Sequence, residues 1–432
     1  SIFVGEKGYG LAALDMTTGL FKVTEITEEH AESLVKDELD KLEAKEVIVA
    51  ESALNQTKNQ WLKNGPFYLH TSEDWTFSHS ESHRFLLEHF KTASLEGFGC
   101  EHLKMAVSAA GALLRYLQET QKSTLEHINS LATFNIHNYM LLDHSTVKSL
   151  ELVQSSQNNR KGSLVDILDL SQTPMGARRI KEWILKPLVD KSMIEERLGI
   201  VDEFKNNILL RNDLRELLGD MFDLERLLGR ISLGVASPRD LVTLKTSVGL
   251  LPKIREQLAQ CRSASIAKYT AAWDNLESVF ELIDRVIVND PPFSMTEGNL
   301  IKSGCDEELD RLKSISNDGK NWIARLEVRE RERTGIPLLK VGYNKIYGYY
   351  IEVTKKNAER VPQDYIRKQS LVNAERYISP ELKDYEAEIT GAEDKITEIE
   401  ARLFQKVRHA IAAEGSRIQR MAKVVSEVDA LL

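Results

Sequence analysis

Cysteine is scarce in this 432-residue chain, and its three cysteines lie far apart in the sequence. Cys100, Cys261 and Cys305 form no Cys-x-x-Cys pair, which argues against both a disulfide framework and a zinc knuckle. So few thiols are typical of a reducing compartment, and the sequence therefore predicts a cytoplasmic protein.

The chain also has no long apolar run, and no secretory leader is expected at its start. No apolar stretch approaches the roughly 18 residues that span a bilayer, so no membrane function is expected. Residues 1–5 show no positively charged segment followed by a long apolar run, which argues against a secretory signal. Residue 1 is serine rather than methionine, and we therefore expect the chain to begin within a longer protein.

Positive charge is in deficit over the chain as a whole. The net charge of -9 repels polyanions, so any nucleic-acid binding must be confined to a local basic surface. Residues 335–374 contain 7 lysines and arginines against 3 acidic residues, a local charge of +4 that leaves -13 on the remainder. The sequence thus places the candidate basic surface in this segment.

The first part of the chain has the pattern of a compact α/β domain, which we predict over residues 1–98. Apolar residues alternate with the two-residue period of strands before the period changes to that of a helix. The predicted elements are, in order, strands at 8–14 and 20–24 around a turn at 15–19, a helix at 28–42 and a strand at 47–50.

Residues 99–334 have the period of helices and are predicted to form a scaffold that ends in a long arm helix. Thr173 and Pro174 mark one helix start, because Thr173 can cap the backbone and proline is tolerated at the first helical position. The arm is predicted over residues 306–333, and the glycine and proline of residues 334–337 stop it.

A second arm helix is predicted to restart at Pro380 and to run toward Leu431, a length of about 75 Å at a rise of roughly 1.5 Å per residue. Its apolar residues are spaced alternately three and four apart, as in a helix packed lengthwise on another: Leu382, Tyr385, Ile389, Ala392, Ile396, Ile399 and Leu403. Residues 380–432 are assigned to this returning arm and to the end of the helical scaffold.

Between the arms, residues 335–379 cannot be helical and are predicted to form a small β domain. β-branched and aromatic residues fill 338–341 and 346–353, and residues 342–345 make a natural turn. Four tyrosines are interpreted as packing of this domain rather than as stacking platforms for bases: Tyr343, Tyr347, Tyr349 and Tyr350.

The same segment carries side chains suited to a phosphate backbone. Lysine and arginine supply charge and counterion release, whereas amides and hydroxyls fix the register. This mixture occurs at Arg367, Lys368, Gln369, Ser370 and Asn373. It predicts contact with nucleic acid that does not depend on base sequence.

Several motifs of the chain resemble the MutS family of DNA mismatch repair proteins. The segment 340–353, KVGYNKIYGYYIEV, together with 373–377, NAERY, is similar to the clamp of that family. The remaining matches are to its connector at 9–19 and to its core at 139–152, 168–178 and 223–227. The resemblance thus covers essentially the whole chain in family order.

The resemblance implies an α+β multidomain protein. Its expected parts are a connector with an RNase H-like fold, a large all-helical core with long lever helices, and a small β-rich clamp inserted between the levers. Clamps of this family close around duplex DNA, and members work as homodimers that recognise mispaired bases and signal to MutL, which contacts the connector. The expected location is the bacterial cytoplasm, in association with the nucleoid.

The resemblance also implies parts outside the chain. A mismatch reader with a Phe-x-Glu wedge would precede Ser1, and an ATPase that binds ATP and magnesium would follow Leu432. No Gly-x-x-x-x-Gly-Lys-Ser/Thr motif occurs in the sequence, so no phosphate loop is assigned. We therefore expect no cofactor and no catalysis from this chain itself.

Carried onto matching positions, the family's DNA contacts correspond to six candidate backbone contacts: Lys345, Arg367, Lys368, Gln369, Ser370 and Asn373. Some relatives have a basic residue just before the matching asparagine, whereas Val372 stands here. A weaker phosphate contact is therefore expected at that point.

Other patterns leave two further functions open. A protein-interaction scaffold without DNA affinity is one. The other is a metal-dependent nuclease, because Asp15 and Glu51 lie at predicted strand ends, although turn capping by Asp15 is favoured.

His79 and His83 lie four apart, but their serine-rich surroundings predict a loop, and no metal site is expected. The charged run 327–333 is interpreted as a solvated helix face with i,i+4 ion pairs.

Overall fold

The computed structural model describes residues 1–121, 125, 128–294, 297–344 and 348–432, with the backbone alone at 57–58, 315–321 and 387–390. None of the helices in these ranges combines the length and the hydropathy that a bilayer span requires. The chain forms two compact units. The first comprises Ser1–Ala236, Asp240–Glu281 and Arg408–Leu432, and the second comprises Ser237–Arg239 and Leu282–Val407.

A mixed sheet opens the first unit. Its strands are β1 (Ile2–Val4), β2 (Tyr9–Asp15), β3 (Leu20–Ile26), β4 (Glu46–Ala50), β5 (Tyr68–Ser72) and β6 (Ala132–Thr133). Their order across the sheet is β5-β4-β1-β2-β3-β6. Strands β1, β2 and β3 are antiparallel, whereas β4, β5 and β6 each run parallel to a neighbour. The predicted hairpin is confirmed, with β2 and β3 paired up to Asp15 and Leu20 and with Gly19 at a φ of 69° in the turn.

Helices cover both faces of this sheet. They are α1 (Ala31–Leu42), α2 (Glu51–Leu54), α3 (His79–Phe90) and α4 (Lys104–Gln121). Successive strand residues point to opposite faces. Leu11 and Val49 therefore join the buried cluster that includes residues of α1, whereas Ala12 and Ile48 join the cluster of α3 and α4.

This layer continues beyond residue 98, the predicted end of the first domain. Helix α4 buries Val107 and Leu114 in the same cluster as Val23 of the sheet. Strand β6 pairs with β3 through Thr133. The small-residue interruption at 94–99 is therefore a connection within the layer and not its end.

The rest of the first unit is largely helical, as predicted. Its helices, the last of which leads into the second unit, are α5 (His144–Ser149), α6 (Leu164–Leu168), α7 (Pro174–Leu185), α8 (Lys191–Asn206), α9 (Ile208–Gly219), α10 (Leu224–Ser232), α11 (Pro238–Val248), α12 (Leu251–Leu258), α13 (Ala264–Ala271) and α14 (Glu277–Val286). The predicted cap of α7 is confirmed, because Thr173 Oγ1 accepts the Gly176 N–H at 3.0 Å and Pro174 follows directly.

The second unit contains two long helices and a four-stranded antiparallel sheet. Its elements are α15 (Glu307–Thr334), β7 (Lys340–Asn344), β8 (Gly348–Thr354), β9 (Ile366–Ser370), β10 (Ala374–Ile378) and α16 (Pro380–Ala413), which continues into the first unit from Arg408. The order across the sheet is β7-β8-β10-β9. As predicted, Gly335 ends α15 with a φ of 63°, and α16 begins at Pro380.

Two predictions about this part of the chain were wrong. The returning helix does not run unbroken, because α16 ends at Ala413 and α17 (Gly415–Leu431) starts after a tight turn in which the Glu414 N–H donates to Ile411 O at 3.0 Å. Helix α16 is therefore about 50 Å long at its 1.5 Å rise, not about 75 Å. Residues 342–344 continue strand β7 instead of turning, because each pairs with a residue of β8.

Candidate nucleic-acid interface

One face of the four-stranded sheet is buried. Alternation along β8 places Ile351 and Val353 on this face, and Tyr349 lies partly buried beside them. They pack with Leu326 of α15 and Leu382 of α16 in one apolar cluster. The sheet is thereby fixed to the ends of both long helices.

The junction with α15 includes a buried carboxylate. Glu330 accepts the Tyr365 hydroxyl at 2.8 Å and the Arg333 Nε at 2.8 Å. Burial and this carboxylate raise the pKa of Tyr365. The interpretation of run 327–333 as a solvated face was wrong for Glu330, since it is buried and accepts from Tyr365, the residue before β9.

The opposite face of the sheet carries a row of polar side chains across three strands. Glu352 on β8, Arg376 on β10 and Gln369 on β9 are cross-strand neighbours. Arg376 donates from Nε to Glu352 Oε2 at 3.0 Å and from Nη1 to Gln369 Oε1 at 3.0 Å. Its guanidinium also lies 4.0 Å from the ring centroid of Tyr350, a cation–π contact. Arg376 is not among the six candidate contacts predicted from the sequence.

Strand β9 forms one edge of the described sheet, with β10 as its neighbour, so one row of its backbone groups faces outward. The register shifts along this pair, since Arg367 lies opposite Tyr377 and Gln369 lies opposite Arg376. Lys368 is therefore the extra residue of a β-bulge. The bulge places Arg367 and Gln369 on opposite faces, although their spacing of two would put them on one face of a regular strand.

Arg367 and Lys368 are accessible, and each faces a carboxylate. The Arg367 side chain is 63% exposed, and its Nη1 lies 3.5 Å from Glu375 Oε1. The Lys368 side chain is 30% exposed, and its Nζ lies 4.0 Å from Glu386 Oε2 on α16. Ion pairs this long and this exposed are weak. The Arg367 side chain is therefore held only weakly by its carboxylate partner.

Ser370 and Asn373 flank the turn from β9 to β10, and both are exposed. The Asn373 carbonyl accepts the Lys355 N–H at 3.1 Å, which anchors the turn. Val372 beside it is 87% exposed. Lys345 lies outside the described residues. The structure therefore brings the other candidate contacts to one edge of the sheet, but on both of its faces.

The tyrosines of the sheet differ in their surroundings. Tyr349 packs against the buried cluster, as predicted. Tyr343 is 60% exposed, and its ring centroid lies 4.9 Å from that of Tyr349. Tyr350 supports Arg376 on the outer face, and Tyr347 lies outside the described residues. The prediction that the tyrosines pack within the domain thus holds for Tyr349 and Tyr350, whereas Tyr343 is largely exposed.

The histidine pair considered as a metal site lies in the first unit. His79 and His83 lie on helix α3, so the predicted loop was wrong, and their ring centroids are 5.7 Å apart. His83 Nε2 lies 2.9 Å from Glu101 Oε1, which gives that ring a structural partner. Across the described part of the chain, no group of three or more His, Cys, Asp or Glu side chains is arranged to hold a metal ion.

Asp15 is occupied by its own turn, in agreement with the favoured interpretation. Its Oδ1 accepts the Thr17 N–H at 2.8 Å and the Thr17 hydroxyl at 2.7 Å. Burial acts to raise the pKa of Asp15, but hydrogen bonds from Thr17 and Thr18 outweigh it and lower the pKa. Glu51 is exposed at the start of α2.

Comparison with known proteins gives matches over both parts of the chain. A family model described as MutS domain II matches residues 1–129, and one described as MutS domain III matches residues 145–432. The DNA mismatch repair proteins MutS of Halothermothrix orenii and Symbiobacterium thermophilum are 45% and 44% identical over 423 and 426 residues, each covering 98% of this chain. The corresponding protein of Acetivibrio thermocellus is 42% identical over 435 residues, 100% of this chain. These alignments cover 47%, 49% and 50% of the relatives, so the chain spans about half their length.

Proposed function

The chain belongs to the MutS family of DNA mismatch repair proteins, and from this premise we propose that its second unit binds the backbone of duplex DNA without reading base sequence. The observation that carries the proposal is the accessible edge of the β9–β10 hairpin, which presents Arg367, Lys368, Ser370 and Asn373. The cations supply attraction and counterion release, and the hydroxyl and amide groups set the register.

The bulge at Lys368 bears on how the duplex would approach. Because Arg367 and Gln369 lie on opposite faces of β9, a duplex lying on either face could reach only one of them. A phosphate chain that runs along the edge can be contacted from both faces and by the outward backbone N–H groups. We therefore propose that DNA meets the edge of the sheet.

The proposed architecture follows the family. The strand order β3-β2-β1-β4-β5, with its first three strands antiparallel, supports an RNase H-like connector at residues 1–98, extended by α4 and β6. Residues 99–334 are proposed as the core with the first lever. Residues 335–379 are then the clamp, and residues 380–432 the returning lever and the end of the core.

For the whole protein we propose the family's role in repair. The chain would be a non-catalytic scaffold that links mismatch recognition to an ATPase, with ATP and magnesium bound outside this chain. The partners proposed are duplex DNA, a second copy of the protein, and MutL through the connector. The proposed location is the bacterial cytoplasm, in association with the nucleoid.

The test is a fluorescence anisotropy titration of matched and mismatched duplexes at about 50 mM and about 200 mM salt. Arg367→Ala combined with Lys368→Ala is expected to weaken binding about equally for both duplexes. Each phosphate contact contributes roughly 0.9 to the slope of log affinity against log salt, so the double variant should flatten the slope by up to about two units.

A charge-matched control is available on the first unit. Arg84→Ala combined with Lys191→Ala also removes two exposed cations and is expected to bind as the unaltered chain does. If only the mismatched duplex were affected by the hairpin variant, the mechanism would not be backbone binding. Absence of salt-sensitive duplex binding would favour the protein-interaction scaffold instead.

A further inference from the structure

Arg376 controls which group of Gln369 faces a ligand. A guanidinium has only donors, so the atom of Gln369 that lies 3.0 Å from Arg376 Nη1 must be the amide oxygen. The amide NH2 group of Gln369 is then directed away from Arg376. Without this contact the terminal amide has two broad orientations, one presenting oxygen and the other presenting NH2.

The position of Arg376 is itself fixed from two other sides. Glu352 accepts from its Nε, and the Tyr350 ring lies against its plane. The Arg376 side chain is 18% exposed, and Glu352 lies within ion-pair distance, so much of the charge of Arg376 is compensated locally. Arg376 is thus poorly suited to contact phosphate itself and well suited to hold its neighbour.

We propose that Arg376 is a positioning residue for DNA binding: it fixes Gln369 so that the amide NH2 group donates to a phosphate oxygen. The inference rests on the proposed function, because it names how one contact of that interface is prepared. A fixed amide would add a charge-assisted hydrogen bond without adding charge, and it would lose no orientational freedom on binding.

The experiment is a double-mutant cycle of duplex affinity on the 432-residue chain, with Arg376→Lys and Gln369→Ala. Lysine keeps the charge but lacks the planar fork that spans Glu352 and Gln369. Loss of one hydrogen bond to a charged group corresponds to about a tenfold weaker affinity for Gln369→Ala. Arg376→Lys should approach that value, and the double variant should be about tenfold weaker as well, not about a hundredfold. The salt slope should be unchanged in all three, because no charge is lost.

Two further variants separate positioning from folding. Gln369→Glu should keep the pairing with Arg376 and the thermal midpoint, yet weaken duplex binding at least as much as Gln369→Ala, because a carboxylate cannot donate. Arg402→Lys, at an exposed arginine of α16, is the matched control and should bind like the unaltered chain.

The outcomes distinguish this inference from the proposed function. If Arg367→Ala with Lys368→Ala weakens binding while Arg376→Lys leaves it unchanged, the edge binds DNA and the positioning role is overturned. Additive effects of Arg376→Lys and Gln369→Ala would also overturn it, because independent contacts would then be indicated. If no variant of the hairpin alters duplex binding, both the proposed function and the inference fail.

Discussion

The side chain of Glu400 on α16 is fully buried. Its carboxylate lies 2.7 Å from Lys313 Nζ on α15 and accepts the backbone N–H groups of Leu300 and Ile301 at 3.2 and 3.3 Å. Lys313 also donates to Ile301 O at 2.8 Å. A single carboxylate thus connects both long helices of the second unit to the segment that precedes them.

Glu400→Gln keeps an acceptor for the two N–H groups but leaves the Lys313 ammonium without a counter-charge. Removal of one partner from a buried pair costs about 3–5 kcal/mol. Because the Lys313 side chain is 18% exposed and can take up some water, we expect the lower part of this range, about 3 kcal/mol. Glu400→Ala should cost about 1–3 kcal/mol more, because the N–H groups also lose their acceptor.

The assay is urea unfolding of the chain, followed by fluorescence and by amide hydrogen exchange of α15 and α16. With a urea dependence of about 2 kcal/mol per molar, the Glu400→Gln transition of the second unit should move down by about 1.5 M. The double variant Lys313→Met with Glu400→Gln should be less destabilised than either single variant, because no charge is left buried. A shift of Glu400→Gln below about 0.5 M, or additivity in the double variant, would refute the reasoning.

Two further predictions concern the first unit. A Cβ at Gly176 would lie 2.2 Å from Asp429 Oδ2, so Gly176→Ala should cost about 2–4 kcal/mol in thermal or urea unfolding. Gly199→Ala is the control, because no neighbour lies within 4 Å of the added atom at this helix position. It should be neutral or stabilising by up to about 1 kcal/mol. Equal effects of the two changes would contradict the steric argument. Burial acts to raise the pKa of Glu38, but Lys186 and Lys41 outweigh it and hold that pKa below 4.5. The ionised Glu38 carboxylate therefore stabilises the folded chain above pH 4.5, and this stabilisation is lost as the pH falls through the lowered pKa. Urea midpoints measured across that range should fall less steeply for Glu38→Gln than for the unaltered chain, and parallel curves would show that Glu38 contributes nothing.

Much of the local structure could be predicted from the sequence because its signals are short-range. The cap formed by Thr173, the glycine stop at Gly335 and the turn after Asp15 each depend on a few adjacent residues. The predictions failed where the structure depends on contacts between residues that are distant in the sequence. Helix α4 looks like the start of a helical scaffold, and only its burial against the sheet assigns it to the first layer. His79 looks like a loop residue, and helix α3 forms because Leu86 and its neighbours are buried.

In the candidate interface, too, features set by residue type could be predicted, whereas features set by strand pairing could not. Residue type alone selected Arg367, Lys368 and Asn373, and the structure leaves them accessible. Their distribution over two faces could not be predicted, because a bulge depends on the register between β9 and β10. Arg376 was missed for a related reason, since its partners Glu352 and Gln369 become neighbours only when three strands pair.

The irregular register at Lys368 has a consequence for the solubility of the protein. An edge strand with evenly spaced backbone groups can recruit a strand from another molecule and so start aggregation. At β9 the extra residue interrupts that spacing in the middle of a five-residue strand, and a lysine stands at the interruption. A second hairpin could therefore match only a residue or two on either side. An edge open to a phosphate chain is in this way a poor template for another β-strand.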